Sequence, residues 1–178
     1  VEEAAVENGT YAAQDMYQLS VSGTLVYSEV QKFVDLLNEE RAKLGLEPHK
    51  LDKEMMDLAA ERAVETMVYF SHDRPNGLIK DAGECIAMTY GIADASDAIN
   101  LWKSSSAHWG ILMAKEWGRI GFVPITYKSG NGKYKTNYVI NLWNYQGYAP
   151  TEVTSNDINI TKTINIKSNY IKDRKSTR

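Results

Sequence analysis

The sequence has few of the features that would place it in a specialised class of protein. It contains one cysteine, Cys85, so no disulfide bond can form within the chain. No apolar run approaches the roughly 20 residues that a membrane-spanning helix needs. The formal net charge is -3, whereas a protein that binds nucleic acid usually carries a basic face. We therefore expect neither a transmembrane segment nor a nucleic-acid partner.

Two familiar catalytic motifs are also missing. The chain contains neither G-x-S-x-G, the nucleophile elbow of many hydrolases, nor H-E-x-x-H, the helix of many zinc proteases. Cys85 is followed by apolar Ile86 and Ala87, which favours a small buried residue over a nucleophile. A hydrolase of these common types is therefore not indicated.

Length and composition are those of an ordinary soluble globular protein. With 178 residues, 43% apolar and 24% charged, the chain can form one domain with a core and additional terminal segments. It begins with Val1 instead of methionine, which is expected of an exported protein whose signal has been removed.

Several stretches have the spacing of amphipathic helices. Residues 28–31 resemble a capping box that begins the first helix. Asp52 is expected to cap a second helix, whose inner face would hold Met55, Ala59, Ala63, Met67 and Phe70. Residues 94–102 predict a third helix, and a tight helical turn is expected to carry His108. His49, in the turn before the second helix, is expected at the surface.

Other stretches have the alternation or the composition of strands. Residues 84–89, 119–127 and 134–143 predict three antiparallel strands, and the last two flank a glycine-rich hairpin turn at residues 129–132. Pro124 is expected at a sheet edge or a bulge, because proline cannot donate to a strand ladder.

Two weaker candidates lie nearer the ends of the chain. Residues 17–23 alternate enough for a short strand or an ordered arm, and the isoleucines between residues 158 and 166 partly alternate. One additional strand against the body of the domain is therefore expected.

Three motifs follow one another in the middle of the chain. Residues 70–77 read FSHDRPNG, residues 83–87 read GECIA, and residues 102–112 read WKSSSAHWGIL. Residues 37–46 read LNEERAKLGL and form the first helix pattern. In this order the motifs resemble the CAP superfamily, the SCP-like extracellular domains, in its bacterial form.

The resemblance implies an α+β fold, an α-β-α sandwich with a small central antiparallel sheet. It implies a division into an N-terminal arm (1–26), a CAP/SCP-like domain (27–148) and a C-terminal extension (149–178). It also implies that the protein is secreted, and therefore extracellular or attached to the cell surface.

The resemblance further implies a site. In the family, two histidines and two glutamates line a central cleft, and the histidines can hold a divalent ion such as zinc. His72, Glu84 and His108 match three of these four residues. Asn141 falls where the family often has glutamine, and Ser71 lies beside His72. The predicted cleft residues are therefore His72, Glu84, His108, Ser71 and Asn141, with His72 and His108 as metal ligands and no other cofactor.

Two departures from the family pattern bear on this site. The second glutamate is replaced by a serine run at residues 104–106, and only eleven residues separate His72 from Glu84, where the family usually has a longer segment. We expect the shorter segment to leave the cleft more open to water.

Each predicted site residue also has a structural interpretation. His72 could cap the preceding helix, where an imidazole interacts well with the helix dipole. His108 could be a core histidine, because it precedes Ile111 and Leu112 by three and four residues. Glu84 at the start of a strand is unusual, since buried carboxylates need partners, and two nearby imidazoles would supply them.

Three functions follow as hypotheses. The first, which we favour, is a secreted binding module whose cleft takes a divalent ion or a small or extended ligand. The second is a hydrolase that uses a metal-bound water or acid–base catalysis, for which Ser71 and residues 104–106 are hydroxyl candidates by proximity alone. The third is lipid or sterol binding, which some family members show.

Overall fold

The computed structural model of the chain describes residues 15–171. Its helices are α1 (Val30–Lys43), α2 (Lys53–Val68), α3 (Ala95–Lys103) and α4 (Ser106–Leu112). Its strands are β1 (Met16–Leu25), β2 (Lys50–Leu51), β3 (Gly83–Tyr90), β4 (Arg119–Lys128), β5 (Tyr134–Trp143) and β6 (Ile158–Lys167). The predicted helices and strands are thus confirmed, with boundaries shifted by a few residues.

The strands form one sheet in the order β3-β5-β4-β1-β6, and short β2 adds to β4 in parallel. The pairs along the main order are antiparallel. The two weaker candidates, β1 and β6, pair with each other along their whole length and enlarge the predicted three-stranded sheet. The division of the chain at residues 26 and 148 stays a prediction, and its outermost parts, 1–14 and 172–178, lie outside the described residues.

Helices cover both faces of the sheet, as predicted for an α-β-α sandwich. On one face the Phe122 ring of β4 stacks on Phe33 of α1 at 3.6 Å and meets Trp102 of α3 edge to face. On the other face α2 crosses β4 and β5. Gly121 lies at this crossing, because any side chain there would overlap the backbone of Met55.

The start of α1 differs from the predicted capping box. Residues Tyr27–Glu29 form a single 3-10 turn, and α1 begins at Val30 without a side-chain cap. The polar groups of Ser28 and Glu29 bind other segments instead. The Ser28 backbone N–H donates to the Asp157 carboxylate at 3.0 Å, and the Glu29 carboxylate accepts from the Ala95 backbone at 2.8 Å, at the start of α3.

Two predicted exposures were wrong. His49 is 1% exposed, because its backbone exchanges hydrogen bonds with the Asn38 side chain and its Nε2 lies 3.2 Å from the Leu112 carbonyl oxygen. Phe70, predicted on the inner face of α2, is 48% exposed, because α2 ends at Val68. In contrast, Asp52 caps α2 as predicted and accepts from the Met55 N–H at 3.0 Å.

Pro124 lies on β4, which is an inner strand and not an edge. Its carbonyl accepts from the Val26 N–H at 2.9 Å, and the nitrogen of a strand residue points to the same side as its carbonyl. The proline nitrogen therefore faces residue 26, directly after β1 ends at Leu25, so the ladder between β1 and β4 loses no hydrogen bond.

The close contact between α2 and β4 at Gly121 can be tested by substitution. We expect Gly121→Ala to destabilise the fold by about 1–3 kcal/mol, because the added methyl group forces α2 away from the sheet. Gly110→Ala in α4 is the matched control, since its methyl group meets nothing within 4 Å and alanine favours a helix by about 0.5–1 kcal/mol. Urea denaturation measures both, and equal stabilities for the two variants would contradict the crossing.

Candidate functional site

The carboxylate of Glu84 is the centre of the site. Its side chain is 1% exposed, and Arg62 of α2 binds it with two hydrogen bonds, Nε to Oε2 at 2.8 Å and Nη2 to Oε1 at 3.0 Å. Burial by itself raises the pKa of the Glu84 carboxyl, but the Arg62 guanidinium leads the groups that outweigh burial and hold that pKa below its usual range. Glu84 is therefore an ionised carboxylate with its charge compensated inside the fold.

Two of the predicted residues complete the contacts of this carboxylate. The Asn141 amide donates to Oε2 at 3.0 Å, and His72 Nδ1 lies 3.0 Å from Oε1. Lys80 places its ammonium 3.9 Å from the same Oε1. Both oxygens of Glu84 are thus engaged, and only His72, whose side chain is 54% exposed, opens widely to solvent.

The strand register explains why these groups meet. Glu84 pairs with Asn141 across β3 and β5, and antiparallel partners direct their side chains to the same face. That face is covered by α2, which supplies Arg62. The FSH motif follows the end of α2, so the chain leaves the helix next to the start of β3.

Further ion pairs extend from Arg62 along α2. Arg62 Nη1 lies 3.5 Å from a Glu65 oxygen, and Glu65 also accepts from Arg74 Nε at 2.8 Å. Arg74 in turn donates to Glu61 at 2.7 Å. Burial lowers the pKa of the Arg74 guanidinium, but the neighbouring carboxylates outweigh it and raise that pKa. Alternating charges therefore hold the loop after α2 against the helix.

Ser71 contributes to the site through its backbone. Its carbonyl oxygen accepts from Arg62 Nη2 at 2.6 Å. Its hydroxyl accepts from the Asp73 backbone N–H at 3.0 Å and so stabilises a local turn. The contacts of this hydroxyl are those of a turn residue.

His108 lies on α4 and has a separate set of contacts. Its Nδ1 lies 2.9 Å from the hydroxyl of Ser105, the residue that caps α4. Its carbonyl oxygen lies 4.0 Å from the Cys85 thiol, a donor. Within residues 15–171 His108 shares no hydrogen bond with His72, Glu84, Ser71 or Asn141, and a common cleft for all five stays a prediction.

The position of Cys85 shows how the two histidines are arranged. Cys85 and Glu84 are neighbours on β3, so their side chains leave the strand on opposite faces. His72 contacts β3 from the face of Glu84, and the His108 backbone contacts it from the face of Cys85. β3 is an end strand of the sheet, so the histidines flank its exposed edge. Burial raises the pKa of the Cys85 thiol to about 12, as expected of a structural cysteine.

The described side chains can be compared with what the divalent ion implied by the family resemblance would need. Among the described residues no group of three or more histidine, cysteine, aspartate and glutamate side chains could hold a metal ion. Glu84 does not fit as a direct ligand, because Arg62 and Asn141 occupy its oxygens. It does fit as the outer partner of His72, since a metal-binding histidine commonly donates its other ring N–H to a carboxylate. Of the predicted site residues, the imidazoles of His72 and His108 thus remain the candidate metal ligands.

A small pocket opens beside His72. Its volume is about 210 Å³, and charged and apolar residues both line it: His72, Asp73, Arg74, Gly77, Leu78, Ile79, Lys80 and Tyr170. The apolar side chains Leu78 and Ile79 are largely exposed. The pocket therefore combines cationic donors with an uncovered apolar rim.

Arg62 is the site residue that sequence reasoning missed. The expected partners of Glu84 were two imidazoles, whereas its principal partner is this guanidinium. A signal was present, because Arg62 directly precedes Ala63 on the predicted inner face of the helix. A buried glutamate needs a cation nearby, and arginine binds a carboxylate through two parallel hydrogen bonds.

Comparison with known proteins shows to which family the chain belongs. A model of the CAP family, the cysteine-rich secretory protein family, matches residues 34–145. No curated protein matches the chain. None of the helices in residues 15–171 has the length and apolar character needed to cross a membrane.

Several solved structures are similar. The crystal structure of MpPR-1i has 17% identity and a TM-score of 0.50, covering 70% of this chain and 91% of that one. An outer surface protein of Borrelia burgdorferi has 18% identity and a TM-score of 0.46, covering 64% and 91%. An extracellular SCP-domain protein of Bacillus anthracis has 24% identity and a TM-score of 0.46, and the match covers 63% of this chain but only 40% of that protein. The match to the family over most of the described residues, together with the sandwich fold, shows that this chain belongs to the CAP family of cysteine-rich secretory proteins.

Proposed function

We propose that this chain is a secreted binding module and not a hydrolase. Its proposed ligands are a divalent ion, held by His72 and His108, and a small or extended molecule in the pocket beside His72. The match to a family of secretory proteins over residues 34–145 supports export.

The observation that carries this proposal is the engagement of Glu84. A general base must accept a proton from the reacting group, but both Glu84 oxygens already accept hydrogen bonds, and Arg62 holds the pKa of the carboxyl low. A carboxylate in this state is a poor base. Its contact with His72 orients that imidazole.

The same arrangement supports weak metal binding. If His72 donates its Nδ1 proton to Glu84, its Nε2 lone pair is free for an ion, and the carboxylate strengthens the imidazole as a ligand. His108 uses Nδ1 toward Ser105 and likewise keeps Nε2. A bound divalent ion would supply a positive charge that attracts anionic ligands.

The pocket favours a small group or the end of an extended ligand. Its volume of about 210 Å³ is below the roughly 300–1,000 Å³ of typical pockets for drug-sized ligands. A whole sterol needs more enclosed apolar space than this. Lys80 and His72 suit an anionic or hydrogen-bonding end, and the Leu78–Ile79 rim suits an apolar continuation.

Calorimetry with zinc tests the metal part of the proposal. We expect heat of binding with the wild-type protein and its loss in the His72→Ala/His108→Ala variant, at an affinity well below the ~10–16 kcal/mol of structural zinc sites. Binding should also weaken in acid, because an imidazole must be deprotonated to hold a metal ion. The third histidine supplies a matched control, since His49→Gln removes an imidazole outside the site.

The outcomes separate the two functions. Equal heats for the wild-type and double-variant proteins would contradict the metal assignment. Zinc-dependent turnover of a peptide, ester or phosphodiester that disappears in the His72→Ala protein would instead favour a hydrolase. We expect no such turnover.

A further inference from the structure

The last strand of the sheet has an unusual sequence. β6 contains INITKTINI at residues 158–166, which reads the same in both directions around Lys162. When two strands with such a sequence pair antiparallel about their common centre, every residue meets its own type. The symmetry of the sequence therefore matches the symmetry of a two-fold pair.

β6 is also an end strand. β1 is its only strand partner among the described residues, and it pairs along the whole strand from Met16↔Lys167 to Leu25↔Ile158. The other side of β6 is consequently a strand edge, occupied at its Lys167 end by the loop at Pro75. An edge of this kind is a template for another strand.

One contact shows which backbone N–H and C=O groups of β6 point away from β1. The Lys167 N–H donates to the Pro75 carbonyl at 2.9 Å, away from β1. Since backbone groups of successive strand residues point to alternate sides, the outward-facing residues are Asn159, Thr161, Thr163 and Asn165. The N–H and C=O groups of Lys162 point toward β1.

We propose that a second copy of this chain pairs antiparallel with β6 about a two-fold axis at Lys162. Thr161 of one copy then lies opposite Thr163 of the other, and Asn159 opposite Asn165. These four outward-facing residues are the ones that can exchange backbone hydrogen bonds. The palindrome selects this register, and the alternation of the backbone groups is compatible with it.

The side chains that meet between the two β6 strands are compatible with pairing. On one face Ile160 meets Ile164, and on the other Thr161 meets Thr163. Cross-strand pairs of β-branched residues and of threonines stabilise sheets.

Lys162 is the one unfavourable element, because it meets its own copy across the axis. Two like charges directly opposite destabilise a sheet, so the dimer should strengthen with salt, which screens the repulsion. The pairing closes on itself, since each copy uses its single β6 edge for the other. The expected assembly is a dimer and not a fibre.

Sedimentation velocity of the full chain over a range of concentrations tests whether two copies pair through β6. We expect a monomer–dimer equilibrium, and Lys162→Thr should tighten it about two- to fivefold. Thr161→Pro should abolish the dimer, because it removes an outward N–H that β1 does not use. Met88→Pro on β3 is the matched control: the Ile86 carbonyl faces away from β5 toward Trp102, so the N–H of Met88, two residues on, also points outward.

Cross-linking gives a second measurement that does not depend on proline. In the proposed register the Cβ atoms at position 162 are about 4.5–5.5 Å apart, near the separation of a disulfide. The native Cys85 is buried, so Lys162→Cys under oxidising conditions should form a covalent dimer much faster than Lys133→Cys, an exposed control in the hairpin turn.

A protein that stays monomeric at all concentrations, with equal cross-linking of the two cysteine variants, would overturn the proposal. A dimer lost in Met88→Pro but kept in Thr161→Pro would place the contact on β3 and would equally overturn it.

Discussion

We expect the Arg62→Met protein to be less stable than the wild type by about 3–5 kcal/mol, because the substitution leaves the Glu84 carboxylate buried without its cation. Both side chains are at most 1% exposed, so water cannot replace the lost contacts. The loss should be largest near neutral pH and shrink in acid, since protonation removes the unpaired charge. Urea denaturation at two pH values measures this.

A second substitution separates the ion pair from general packing. In Arg62→Met/Glu84→Met both charges are absent, and we expect the double variant to regain much of the stability lost by Arg62→Met, because two apolar groups replace a buried pair at little net cost. Lys53→Met breaks the exposed pair with Asp57 and should change stability by less than about 1 kcal/mol. A double variant no more stable than Arg62→Met would show that the pair is not the cause.

The second large effect is a loss of stability on mild acidification, caused by His49. Burial, and then the Arg41 guanidinium, lowers the pKa of this imidazole from 6.5 to about 4. Its Nε2 lies 3.2 Å from the Leu112 carbonyl oxygen, while its buried Nδ1 has no partner among the described residues. A proton on Nδ1 would therefore be buried without an acceptor.

The sign of the effect follows from these two pKa values. The unfolded chain takes up the proton near pH 6.5, whereas the folded chain takes it up only near pH 4. The contribution of neutral His49 to the free energy of unfolding is therefore fully present above pH 6.5. It is lost between pH 6.5 and pH 4, and the loss amounts to about 3 kcal/mol, since each pKa unit corresponds to about 1.36 kcal/mol.

Substitution of His49 tests this origin. His49→Gln keeps an N–H donor toward Leu112 but does not titrate, so we expect a much flatter dependence of unfolding free energy on pH between 6.5 and 4.5. Carboxylates with lowered pKa values, Glu84 among them, act in a more acidic window. An unchanged slope in His49→Gln would assign the acid sensitivity to other groups.

The sequence by itself determined the secondary structure and the family. Strand alternation, the glycine-rich turn and the Asp52 cap are local patterns, and each can be read within a few residues of sequence. Glu84, Asn141 and His72 were also predictable as a group, because the family motifs mark them and the strand register then brings two of them together.

Only the tertiary structure decided how the charges of the site are balanced. Arg62 lies 22 positions before Glu84 in the chain, and nothing local shows that α2 brings it across the sheet face to that carboxylate. His49 is buried for the same kind of reason, since Asn38 and Leu112 come from other elements. Burial and ion pairing depend on which surfaces meet across the fold, whereas sequence periodicity reports only which face of one element is apolar.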